Sequence, residues 1–182
     1  MTEAELIRNA QQGDQAAFGE LVCRHEKKLL ALCWNMMGDH DEARDAAQEA
    51  LLQAFQNLER FDAERSFIKW LLGIGAKRCL NRLRARRTFR RFFQNYIQEW
   101  RGQGGRRDQA LVDMGRTGRL LQKLSGRERT AISLAVFEDF NAREIAAVLG
   151  CSENTARVHL FNARSKLKKE VALDMQMGTI RV

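Results

Sequence analysis

Apolar residues recur at helical spacing along nearly the whole chain, and none of its 182 residues is a proline. A chain with no proline has no obligatory helix breaker, and no segment shows the period-two alternation of a half-buried strand. Thr2 with Glu5 makes the reciprocal N-terminal box of a first helix. Gly13 and Asp14 separate it from a second helix carrying Phe18, Leu21, Val22, Leu29, Leu32, Cys33 and Met36, which Gly38 and Asp39 stop. A third helix, from about Asp41 to Asn57, puts Ala43, Ala47, Leu51 and Phe55 on one stripe and leaves Asp45, Gln48 and Glu49 as an exposed acidic face. After a polar loop over Glu59 to Ser66 that carries Phe61, the residues Phe67, Trp70, Leu71 and Ile74 begin a fourth helix, which runs into the basic tract LNRLRARRTFRRFF. The expected fold is all-α. A helical domain spans 1–91, a flexible glycine-bearing linker 92–113, a second helical domain 114–173, and a loose tail 174–182.

The second domain holds the more specific pattern. Leu120, Leu121 and Leu124 lead to Ser125, which with Glu128 boxes the start of a helix bearing Ala131, Ile132, Leu134, Ala135 and Phe137. Asn141 with Glu144 does the same for a short helix whose inward residues are Ile145, Ala146 and Leu149. Gly150 can take the left-handed conformation that ends it, and Ser152 can cap the next. Two short helices joined by so tight a turn have helix-turn-helix spacing. Ala156, Leu160, Ala163 and Leu167 form the buried stripe of the second helix. Arg157, Val158, Phe161, Asn162 and Arg164 are left outward or flanking, as candidates for base edges, a thymine methyl and phosphates. An ordinary helical hairpin with a solvated basic face would show the same bare pattern.

Charge is distributed in blocks. Residues 1–68 hold 7 Lys and Arg against 13 Asp and Glu, whereas 69–91 hold 9 basic residues and no acid. An acid patch followed by a basic helix suits simultaneous contact with a basic protein surface and a polyanion. No segment approaches the roughly eighteen apolar residues of a membrane span, and residues 1–14 are polar and acidic rather than a signal sequence, so the cytoplasm is the expected compartment. Cys23, Cys33, Cys79 and Cys151 lack any metal-ligand spacing and read as buried reduced thiols, and His25, His40 and His159 are equally scattered. No catalytic constellation, metal site, cofactor motif or small-molecule substrate site is expected.

The order of these parts resembles the extracytoplasmic-function sigma factors, small members of the sigma-70 family, over nearly the whole chain. Asp45-Ala-Ala-Gln48-Glu49-Ala-Leu51 is similar to the family's acidic helix motif. That resemblance implies that Asp45, Gln48 and Glu49 dock on the clamp helices of the beta-prime subunit of core RNA polymerase. Phe61-Asp62, then Phe67-Ile-Lys-Trp70-Leu71 and Ile74, resemble the promoter-melting segment. The implied minus-ten contacts are Phe61, Phe67, Lys69, Trp70, Lys77, Asn81 and Arg84. Leu124-Ser-Gly-Arg-Glu128-Arg, Glu144-Ile145-Ala146 and Thr155 through Arg164 resemble the domain that reads the minus-thirty-five element, which implies contacts from Thr155, Arg157, Val158, Phe161, Asn162, Arg164 and Lys168. The resemblance further implies promoter DNA and an anti-sigma factor as partners.

Physical chemistry suits that division. An unpaired promoter strand needs aromatic platforms to offset lost stacking, and Phe61, Phe67 and Trp70 lie beside a basic helix able to hold its phosphates. Phe67 and Trp70 fit core packing as well, being three residues apart on one helix. The chain also departs from the family: Ile74-Gly75-Ala76-Lys77 stands where many relatives have Ile-Ala-x-Asn, and His159 and Asn162 replace common arginines. Two other readings share much of the pattern. A polymerase-independent helix-turn-helix regulator would bind a symmetric duplex site as a dimer, and a recombinase would need an N-terminal sheet with a nucleophile.

Overall fold

The structure, a computed structural model, describes residues 1–97 and 115–178, and among these it contains eight α-helices, one 3-10 turn and no strand. Helices α1 (Glu3–Gln11), α2 (Gln15–Met37), α3 (His40–Asn57) and α4 (Phe67–Ile97) form an N-terminal lobe. Helices α5 (Gly115–Gln122), α6 (Gly126–Glu138), α7 (Ala142–Leu149) and α8 (Glu153–Gly178) form a C-terminal lobe. Helix α4 thus runs past the boundary drawn at residue 91, and α8 past residue 173. The rest of the expected linker and residues 179–182 lie outside the described residues.

Local signals set the helix ends. Reciprocal capping boxes close the starts of α1 (Thr2, Glu5), α6 (Ser125, Glu128) and α7 (Asn141, Glu144), each satisfying two amide donors that a helix start leaves without partners. Gly38 at φ +71° and Gly150 at φ +62° take the left-handed conformation that ends α2 and α7.

Small residues govern the packing of α2, α3 and α4. The buried stripe of α3 is Ala43, Ala46, Ala47, Ala50 and Ala54, rather than one that includes Leu51 and Phe55. An alanine face lets neighbouring backbones approach closely, which leaves Leu51 half-buried and turns Phe55 outward, 47% exposed, with its ring 5.0 Å from Phe18. On α4 the approach is closer still: a Cβ placed on Gly75 would lie 2.5 Å from Leu29 Cδ1.

The lobes pack on one another. Helices α2 and α4 contact α6, and α4 also contacts α7. One apolar core therefore continues from Leu6 and Leu29 through Leu71 to Leu134, Ile145 and Ala156, while Leu121, Leu124, Ile132 and Ala163 form a smaller cluster beneath α8. Arg129 joins the lobes. Its guanidinium, in a residue only 7% exposed, donates to the carbonyls of Met36 (2.6 Å), Leu124 (3.1 Å) and Gln122 (3.4 Å), and to the Gln122 side-chain carbonyl. Those main-chain carbonyls come from the C-terminal end of α2 and from the end of α5 and the turn after it, where the helix dipole favours a cation.

Neighbouring Glu128 is also buried. Burial alone would raise its carboxyl, but the Lys166 ammonium at 2.8 Å and the Ser125 amide and hydroxyl outweigh burial and hold it below the ordinary carboxylate value. A depressed folded-state value stabilises the fold fully above the unfolded value of 4.5 and loses that stabilisation as pH falls through the folded value. Thermal melts of Glu128→Gln should accordingly show a shallower acid limb below about pH 4.5 than the parent. Equal slopes would remove Glu128 from the acid response.

Cys33 and Cys79 are buried and reduced, and Cys151 is half-buried; Cys23 instead faces outward from α2. Hydrogen bonding with Cys79, together with burial, pushes the Cys33 thiol far above its ordinary value.

Candidate nucleic-acid interface

The acidic helix and the basic helix turn out to be partners. Arg82 on α4 donates to Glu49 at 2.6 Å and lies 3.6 Å from Asp45, Arg78 reaches Gln53 at 2.9 Å, and Arg86 pairs with Glu42. The blocks of opposite charge therefore partly cancel inside the N-terminal lobe. Hydrogen bonding to Glu49 pushes the Arg82 guanidinium above its usual value, against the effect of burial. Asp45 and Gln48 stay exposed, while Glu49 is half-buried. Leu52, 63% exposed, and Phe55 continue the same face, since positions 45, 48, 52 and 55 follow helical spacing. Leu52 and Phe55 were missed as an extension of the Asp45 and Gln48 face because neither carries a signal separating it from core.

The expected melting aromatics divide. Phe61 and Phe67 are buried, 7% and 1% exposed, so in this arrangement neither can serve as a stacking platform. Phe61 lies in a loop as expected, but Gln11 donates to its carbonyl at 2.7 Å and draws it inward. Its ring meets Phe67 edge-on at 5.8 Å and Trp70 at 4.5 Å, and His25 lies 5.6 Å from Phe67. Trp70 is half-buried and completes this cluster. Lys77, Asn81 and Arg84 are exposed along α4.

Lys69 is already engaged. Its ammonium lies 3.1 Å and 3.2 Å from the two Glu144 carboxylate oxygens on α7, and 5.4 Å from the centre of the Phe140 ring. Lys69, Trp70, Lys77, Phe140, Glu144 and Val148 line one cleft of about 480 Å³. The C-terminal lobe thus covers part of the surface from which minus-ten contacts were expected.

The helix-turn-helix presents its candidates outward. Ile145, Ala146, Leu149, Ala156 and Ala163 are buried as their spacing required. Val158 and Phe161 are 54% and 72% exposed, and Arg157, Arg164 and Lys168 are exposed beside them. Asn162 is half-buried. Thr155, also half-buried, shares a hydrogen bond with Ser152 at 2.8 Å and donates its backbone amide to the Ser152 hydroxyl at 3.2 Å, so Ser152 caps α8. Arg157 pairs with Glu153 one turn earlier at 2.6 Å, an exposed pair that a phosphate can displace at little cost. His159 turns away from this face, toward α4 and α6, where burial and then Arg127 hold its imidazole below the ordinary value against Glu128.

Comparison with known proteins agrees with this division. Residues 21–89 match the family model described as Sigma-70 region 2, and residues 115–167 match Sigma-70, region 4. The chain is 31% identical over 180 residues to the RNA polymerase sigma-H factor of Pseudomonas aeruginosa, covering 92% of both chains. It is 27% identical over 177 residues to the ECF RNA polymerase sigma factor SigW of Bacillus subtilis, covering 91% of this chain and 94% of that one. Among solved structures, CnrH in complex with the cytosolic domain of CnrY is similar with a TM-score of 0.69 and 27% identity, over 94% of this chain and 98% of that one. On these matches the chain belongs to the sigma-70 family as an RNA polymerase sigma factor of the extracytoplasmic-function type.

Proposed function

We propose that this sigma factor seats on core RNA polymerase through the exposed face of α3, with Asp45, Gln48, Leu52 and Phe55 meeting the beta-prime clamp helices. The observation that carries the assignment is Leu52, a large apolar side chain 63% exposed, which with Phe55 forms an apolar centre beside the polar Asp45 and Gln48. Central apolar residues ringed by polar ones dominate the energy of such interfaces. Glu49 supports the surface from behind through Arg82, so its reversal would perturb the fold as well as docking; it is an unsuitable probe. Gln48→Ala with Leu52→Glu should weaken core binding by at least about tenfold and leave the melting temperature nearly unchanged, because both sites are exposed. Unchanged affinity in a competition binding assay would refute the docking assignment.

Promoter contacts follow the two lobes. Trp70, Lys77, Asn81 and Arg84, with Lys69 once Glu144 releases it, form the minus-ten surface of a domain spanning 1–91. Arg157, Val158, Phe161, Asn162, Arg164 and Lys168 read the minus-thirty-five element from a domain spanning 114–173, with Thr155 positioning the start of the recognition helix. Two weak readers on one chain gain specificity from each other's effective concentration. The polymerase supplies all catalysis, so the chain is not itself an enzyme, and it works in the cytoplasm. An anti-sigma partner is inferred from the similarity to CnrH, whose structure contains the cytosolic domain of CnrY. Transcription of genomic DNA by purified core enzyme tests the whole reading: new start sites are expected on addition of this chain, and their absence would overturn it.

A further inference from the structure

We propose that the cleft between α4 and the start of α6 binds a phosphate ester of nucleotide size, held from both lobes at once. The cleft has a volume of about 330 Å³, near the lower end of small-ligand sites. Arg84 and Arg87 line it from the N-terminal lobe, and Arg127 and His159 from the C-terminal lobe. Leu83 and Leu124 give it an apolar floor suited to a base or ribose face. The lobes meet directly beneath, since a Cβ placed on Gly126 would sit 3.5 Å from Leu83 Cδ1.

The charges in this cleft are not neutralised from within. On the same helix Arg82 and Arg86 have found Glu49 and Glu42, whereas Arg84, Arg87 and Arg127 have no acidic partner among the described residues. Glu128, next in sequence to Arg127, is committed to Lys166 and to the Ser125 amide, and Glu42 to Arg86. Of the five arginines lining the cleft, these three guanidiniums repel each other without a carboxylate between them, and a phosphate is the group whose oxygens match their paired donors. The buried Nε2 of His159 has no hydrogen-bond partner. A buried ring nitrogen without one is costly, and a turn of the ring toward the cleft would let a phosphate oxygen accept from it in the protonated state. Because the anion would touch both lobes, its binding stabilises their packed arrangement by mass action.

Adenosine triphosphate and a thymidine pentanucleotide are suitable probes, titrated calorimetrically into the full chain and into Arg127→Ala and Arg87→Ala. The triphosphate is expected to bind with Kd below about 1 mM, to raise the melting temperature of the parent, and to lose about tenfold in affinity with either substitution. Binding of the pentanucleotide alone, with the same dependence on both arginines, would keep the site and assign its phosphate to a nucleic-acid strand. Binding of neither probe, or parent-like binding by either variant that melts as a folded protein, would overturn the proposal.

Discussion

Arg129→Met is expected to lower stability by about 3–5 kcal/mol and to loosen the lobes from each other. Methionine keeps most of the apolar stem but removes every donor. The carbonyls of Met36, Leu124 and Gln122 would then face a low-dielectric space with nothing to accept from. The bond to Met36 at the end of α2 crosses between the lobes, whereas those to Gln122 and Leu124 tie α6 to the end of α5, so the loss falls on the joint and on the turn beside it. The check is a thermal melt combined with small-angle scattering. A lower or split transition and a larger radius of gyration are expected, and a compact variant melting like the parent would show that Arg129 does not hold the joint.

Gly75→Val is expected to cost about 3 kcal/mol, or ~10 °C in melting temperature. Glycine inside a helix ordinarily loses about 1 kcal/mol relative to alanine, so at an open position any side chain would help. Here the space is taken: Leu29 Cδ1 would stand 2.5 Å from the new Cβ, with Cys33 Sγ at 3.7 Å and Ala50 Cβ at 3.9 Å. Leu29 is fully buried and cannot swing into solvent. Pairing Gly75→Val with Leu29→Ala should recover part of the loss by emptying the contested volume. A single variant as stable as the parent would mean that the three helices slide apart easily.

That glycine also shows what could be read from the sequence and what could not. It was visible as a departure from the family's Ile-Ala-x-Asn, but its cause lies on α2, forty-six residues away, and no local pattern carries it. The boxes at Thr2, Ser125 and Asn141 and the left-handed Gly38 and Gly150 were legible because their hydrogen bonds close within a few residues. The helix-turn-helix stripe was legible for the same reason. Phe61 was misjudged because its polar neighbours suggest solvent, while Gln11, fifty residues earlier, ties its carbonyl down. Glu49 was taken as freely exposed because helical periodicity assigns a face without showing what stands opposite it; Arg82 does. His159 was noted as a missing groove cation, yet its direction depended on how the lobes meet.

The bridge from Lys69 to Glu144 has a consequence for any solution titration. A duplex using the whole of the proposed minus-ten face, Lys69 included, would have to displace Glu144 on α7, so only molecules that have already parted there would be fully competent. The apparent dissociation constant is the intrinsic one divided by that competent fraction. Free protein would therefore look like a poor binder even if every contact residue were ideal, and Glu144→Gln would look like a better one without touching a single base.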